Sequence, residues 1–322
     1  MVKLSRFARY AWGNVFYNLA VILWGAFVRA SSSGAGCGDH WPLCNGEVIP
    51  RAAATATLIE FAHRISSGFA LIGVVGLAIW AFRAFPRGDI VRRAVAFSLA
   101  FMITEALLGA GLVLFQLVAQ NESLARVFSI SAHLVNTFLL VASMTLTAWW
   151  ASGFAAPRLR RQGPLGIALL GGLLATLVVG VTGAVIALGD TLFFAHLGRG
   201  GTEATLTPFV ETLTQLRIVH PIVAVLASIT LCVLAWQAAR LRPGPVSQRL
   251  AWGMTALVVL QLVVGVLNVY LKVPIVIQLI HLLIADLIWI MMVLTSANAI
   301  AEGQVAMAAT PTTRHAPVLG RQ

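Results

Sequence analysis

The chain has 322 residues, 59% of them hydrophobic and only 10% charged, with a mean hydropathy of +0.89. A soluble domain carries about 25% charged residues, so this composition excludes an ordinary water-soluble globule. The net charge of +11 would suggest nucleic acid in a soluble protein. Here the cations gather in short loops between apolar runs, where they set membrane topology, and no nucleic-acid partner is expected.

Apolar runs long enough to cross a bilayer centre on 10–30, 56–82, 94–118, 127–150, 164–189, 214–239, 251–271 and 275–299. They predict an all-α integral membrane protein of eight transmembrane helices, with membrane lipid as its surroundings. The first run follows Lys3, Arg6 and Arg9. A cleaved leader is the rival reading, but the run is longer than a usual leader and has a counterpart later in the chain. Basic residues recur at Arg83, Arg87, Arg92 and Arg93, at Arg158, Arg160 and Arg161, and at Arg240, Arg242 and Arg249. The positive-inside bias then predicts a multi-pass protein of the cell (plasma) membrane with both termini cytoplasmic. The polar stretch from about Glu302 is expected to be disordered.

After the first span comes an outside loop, "CGDHWPLC", from Cys37 to Cys44. A disulfide is permitted outside the cytoplasm, and the pair reads equally as a structural staple or as a redox-active couple. Neither cysteine has the spacing of covalent heme attachment. His40 reads as a loop residue, and His196, placed in another outside loop, receives no role. Cys232 reads as a small packing residue.

The second span opens with "IEFAHR", which puts Glu60 one helical turn from His63. His133 lies in the fourth span, His220 in the sixth and His281 in the eighth. Each follows the predicted start of its helix by roughly six or seven residues, about 10 Å. Intramembrane ionisable groups are costly and tend to mark function. A single such histidine reads as packing; four at matched depth do not. Two imidazoles facing across a bundle suit the axial positions of a heme iron, and an apolar pocket suits the macrocycle. A zinc site would want four donors together, with thiolate or carboxylate common. Arg29, Arg64, Arg126 and Arg217 are candidate partners for heme propionates, or else interfacial anchors.

The chain repeats itself. "HLVNTFLL" from His133 aligns with "HLLIADLI" from His281, "EALLGAGLVL" from Glu105 with "QLVVGVLNVY" from Gln261, and "EFAHRI" with "RIVHPI". Four spans per half predict two four-helix bundles related by a pseudo-twofold axis along the membrane normal, residues 1–157 and 158–322, the second with a short polar tail. The two halves differ where Glu60 aligns with Arg217. A buried carboxylate can hold a proton; an arginine cannot release one. The first bundle is therefore expected to handle the reacting molecule and the second a resident cofactor, unless Glu60 merely pairs with Arg64. The roles of Glu105 and Asp286 are less defined; the match to Gln261 suggests hydrogen bonding for Glu105.

Together, "GAFVRASSSGAGCGDHWPLCNGEVIP", "EFAHR", "SAHLVNTFLL", "RIVHPIVA" and "QLIHLLIADLIW" resemble the heme A synthase family, in its bacterial branch with paired cysteines. The resemblance runs from about Ala20 to about Leu294. It implies an oxidoreductase that converts a methyl group of heme O to the formyl group of heme A. It places substrate heme O between His63 and His133, a heme b cofactor between His220 and His281, and an assisting role on Glu60. It also implies a Cys37–Cys44 disulfide and a protoheme farnesyltransferase, the heme O synthase, as partner. Pro221 departs from the expected pattern and would kink the sixth helix beside His220. A di-heme b-type electron-transfer cytochrome and a heme transporter or chaperone are the alternatives; neither needs Glu60 or the cysteines. The electron acceptor stays open, as does a homo-oligomer.

Overall fold

A computed structural model describes residues 4–51, 54–158 and 162–301. Arg160, Arg161 and the tail from Glu302 lie outside the described residues. Those described form helices α1 (Arg6–Ala30), α2 (Thr55–Ala84), α3 (Ile90–Leu114), α4 (Leu124–Ala151), α5 (Gly163–Gly198), α6 (Pro208–Gln215), α7 (Val219–Leu241), α8 (Pro245–Tyr270) and α9 (Ile275–Ala299). With α6 and α7 taken as one, eight segments are long and apolar enough to cross a membrane. The protein is a multi-pass, all-helical membrane protein. Large side chains such as Phe69, Phe97, Phe128 and Ile167 are exposed on its outer wall, as lipid contact permits.

Local chemistry sets the helix starts. The Ser5 hydroxyl accepts from the Ala8 amide at 3.0 Å, and the Asp89 carboxylate accepts from Val91 at 2.7 Å. Each satisfies one of the unpaired amides of a first turn. Pro208 and Pro245 open α6 and α8, where a missing N–H costs nothing.

Two features depart from the predicted spans. The sixth is broken over residues 216–218. Pro221 has no N–H to give to residue 217. Upstream, Arg217, Ile218 and Val219 bond three residues back, to Thr214, Gln215 and Leu216, at 3.1, 3.2 and 3.0 Å. The fifth span runs on to Gly198, giving 36 residues, or about 54 Å against a hydrocarbon core of about 30 Å. Its far end packs against α6 through Leu188, Leu192, Val210 and Leu213. Asp190, one residue past the end of the predicted span, and His196, read from sequence as a loop residue, are therefore helical; His196 Nε2 lies 3.0 Å from Thr205 Oγ1.

Helices α1 to α4 pack in a ring, each against its chain neighbour and α4 against α1. A second ring forms from α5, α7, α8 and α9. The seam between them is made by α1 and α4 against α5 and α9. Trp289 donates its indole N–H to the Phe138 carbonyl at 2.7 Å and stacks on the Phe138 ring at 5.1 Å. At one end of the seam the Arg29 guanidinium reaches the Ala187 carbonyl (2.5 Å) and Thr191 Oγ1 (2.7 Å). At the other, Pro157 and Ala301 form a short antiparallel bridge, and Arg158 N donates to Ile300 O at 2.7 Å.

Candidate functional site

All four predicted histidines are half-buried, two in each ring. His63 and His133 lie within electrostatic range of each other, as do His220 and His281. Every one of the four rings faces a glycine on the preceding membrane span. A Cβ on Gly25 would fall 2.9 Å from His63 Cε1. On Gly183 it would fall 3.2 Å from His220 Cε1, on Gly265 3.3 Å from His281 Cε1, and on Gly109 3.9 Å from His133 Nε2. At Gly25, Gly183 and Gly265 a side chain would crowd the imidazole, whereas at Gly109 a Cβ would make an ordinary contact. The sequence analysis missed them; the aligned pair Gly109 and Gly265, inside the repeat, was the available signal.

The ring nitrogens have different surroundings. His220 Nδ1 sits 2.9 Å from Thr182 Oγ1, which leaves Nε2 for a ligand. His63 Nδ1 is buried without a partner. His133 Nδ1 is 3.3 Å from Glu105 Oε1, close enough for charge pairing but off-line for a hydrogen bond. His281 Nε2 is 3.2 Å from Gln261 Nε2, a contact a metal at that nitrogen would have to replace.

Glu60 is buried, and both its oxygens are engaged. Oε1 accepts from Arg64 Nη2 at 2.6 Å and Nε at 3.1 Å; Oε2 accepts from the Cys37 backbone N–H at 2.9 Å. The pairing with Arg64 weighed from sequence is present, and it extends to the cysteine loop. Arg64 Nη1 donates to the carbonyls of His40 and Leu43, both at 2.6 Å. Cys37 and Cys44 form a disulfide with a Cα–Cα distance of 4.4 Å. The Asn45–Gly46 pair, with φ of 53° and 80°, turns the chain as a type I′ hairpin does. Gly36 lies so close to α2 that a Cβ would come 2.5 Å from the Ala56 carbonyl carbon. The loop is thus docked on the start of α2, with Glu60 as its buried anchor.

The remaining arginines divide. Arg217 donates from Nε to Asp190 at 2.7 Å and lies over the Phe193 ring. The aligned positions Glu60 and Arg217 are therefore both ion-paired, with the charges exchanged. Arg126 is buried; its Nη1 donates to the carbonyls of Ala119 (2.6 Å) and Asn121 (3.0 Å), while its Nε has no partner. It lies within electrostatic range of Arg29. Neither makes an ion pair among the described residues. Asp190 lies within electrostatic range of Arg29 but is paired with Arg217, and two neighbouring cations so placed suit a bound carboxylate.

The donor set, the apolar walls and the glycine clefts fit a heme in each ring. His63, His133, His220 and His281 would hold iron, and Arg29 and Arg126 an acidic side group.

Residues 8–293 match the model of the COX15-CtaA family, described as cytochrome oxidase assembly protein. A protoheme IX farnesyltransferase from Thermus thermophilus is 48% identical over 299 residues, covering 93% of this chain and 49% of that protein. The chain thus spans about half the length of that relative. A heme A synthase from Halalkalibacterium halodurans is 41% identical over 124 residues (38% of this chain, 41% of the relative). Another, from Geobacillus kaustophilus, is 34% identical over 170 residues (52% of each).

Proposed function

Because the chain belongs to the COX15-CtaA family of cytochrome oxidase assembly proteins, we propose that it is a heme A synthase, oxidising a methyl group of heme O to a formyl group within the membrane. The observation that carries this reading is the fourfold recurrence of an imidazole set against a glycine, twice in each helical ring. The names of the shorter matches support the same activity.

In this reading heme O binds between His63 and His133, and a heme b cofactor between His220 and His281. A heme in the second ring supplies one-electron transfer. The protein's own groups do the rest. The histidines fix each macrocycle by its iron. Arg29 and Arg126 neutralise a propionate where α1 and α4 meet the seam. Arg217 is committed to Asp190, and Arg64 to Glu60 and the loop, so these two serve structure more than propionate binding. Glu60 accepts three hydrogen bonds, from Arg64 and the Cys37 amide, and a proton on it would weaken them. Its action is thereby coupled to the docking of the disulfide loop. The aligned repeat supports treating residues 1–157 and 158–322 as pseudo-twofold copies. The arginine-rich end, where α1 begins and α9 ends, is assigned to the cytoplasm, and the membrane to the plasma membrane. The Thermus relative is about twice as long as this chain and is named for farnesyl transfer to protoheme. That supports a heme O synthase as working partner.

Heme extraction and chromatography test the proposal. Membranes holding the protein and supplied with heme O should yield heme A or its hydroxylated precursor, and His63→Ala should abolish both while retaining heme b. Heme b alone, at two per chain, would overturn the reading in favour of a di-heme electron carrier.

A further inference from the structure

Glu105 and Gly109 lie one turn apart on α3 and grip His133 from both sides, the carboxylate beside Nδ1 and the glycine beneath Nε2. Gln261 and Gly265 hold the aligned positions on α8 beside His281, but there the amide lies 3.2 Å from Nε2 and the glycine faces Cε1 and Nδ1. The positions align, but only the first brings a carboxylate to Nδ1; His281 Nδ1 is buried without a partner among the described residues. The Glu105 carboxylate is also held in place by its neighbours. Asn136 Nδ2 donates to Oε2 at 2.6 Å, and Thr137 Oγ1 donates to Oε1 at 2.5 Å. Asn136 is itself fixed, with Nδ2 donating to the Phe101 carbonyl at 2.9 Å and Oδ1 accepting from Thr104 Oγ1 at 2.5 Å. Three side chains, Asn136, Thr137 and Thr104, thus hold one anion against one imidazole.

We infer that Glu105 is a positioning residue for His133, and that its charge, absent at Gln261, sets the irons of the two rings at different reduction potentials. A carboxylate on the outer nitrogen of a ligating histidine fixes the tautomer and makes the inner nitrogen more basic. The more basic ligand stabilises ferric over ferrous iron, so the first-ring iron is the harder to reduce. A neutral amide has no such effect. The inference rests on the proposal that each ring binds a heme.

The test is a redox titration of the purified protein with its hemes, followed by visible absorption and by electron paramagnetic resonance. Heme per chain is measured first, and His220→Ala identifies which signal belongs to the first ring. In Glu105→Gln the reduced-to-oxidised ratio of the first-ring heme at fixed poise should rise about tenfold, or about 59 mV for a one-electron couple. In Glu105→Asp, which draws the carboxylate back from Nδ1 by one methylene, the ratio should rise by a smaller factor. Unchanged potentials and resonance positions in heme-replete Glu105→Gln would overturn the inference. Should that variant lose its first heme, an unshifted first-ring potential in Glu105→Asp would overturn it equally. A wild-type protein that binds no heme would overturn the underlying proposal instead.

Discussion

Adding one methyl group at Gly25 should remove one heme and leave the fold intact. The new Cβ would sit 2.9 Å from His63 Cε1 and 3.1 Å from Nε2. Carbon atoms pack at about 3.5–4.0 Å, so the ring must retreat by about 0.6 Å or more. No hydrogen bond at Nδ1 resists that movement. Overpacking of this kind costs about 1–3 kcal/mol, while alanine in place of glycine inside a helix recovers about 1 kcal/mol. The net change in stability is therefore small, and the geometry at His63 changes. Gly13→Ala on the same helix meets nothing within 4 Å and serves as control. Gly25→Ala should show wild-type circular dichroism, a melting temperature near that of the parent, and loss of the first-ring heme. Gly13→Ala should keep every heme and melt at or above the wild-type temperature. Gly183→Ala, at 3.2 Å from His220 Cε1, should lose the second-ring heme instead. A Gly25→Ala protein with its full complement of heme and an unchanged spectrum would refute the idea that these clefts are cut to the width of an imidazole.

Glu60→Gln should retain both hemes and lose most product, measured by chromatography of extracted pigment; normal heme A output would remove Glu60 from the chemistry. The same change weakens the charged hydrogen bonds with Arg64, and thermal melts should show a loss of about 1–3 kcal/mol. Replacing Cys37 and Cys44 with serine opens a ring of eight residues, which by chain entropy costs roughly 2.5 kcal/mol. The loop should nevertheless stay docked through Glu60, Arg64 and Thr57, which limited proteolysis can check; rapid cleavage within 37–44 would contradict this. Trp289→Phe keeps the stacking on Phe138 but loses its hydrogen bond, and should lower stability by about 1 kcal/mol without altering heme content.

The spans were legible because backbone groups in lipid must be satisfied within the helix, which leaves long apolar runs as the trace. The interruption before His220 was signalled by Pro221. The extension of α5 was not. Residues 188–197 are mostly apolar, and the counter-ion of their one acid, Asp190, is Arg217, 27 residues on. Arg64 was visible as a partner of Glu60 because it lies one turn away on the same helix. The Cys37 amide was not, since its approach depends on how Gly36 meets α2. For the histidines, residue type and depth could be read along one helix at a time. What faces each ring comes from a neighbouring helix, and its register follows from packing that no local pattern records. Glu105 stood out as a charge in an apolar run, but its object, His133, emerged only once α3 and α4 were set side by side.

The ties across the seam bear on how a bulky flat guest gets in. Arg29 clamps one end, Trp289 the middle, and the Pro157–Ala301 bridge the other. Prising the halves apart would break all three together. In the proposed function, a porphyrin that leaves these ties intact enters between two helices of a single ring, from the side of the bilayer.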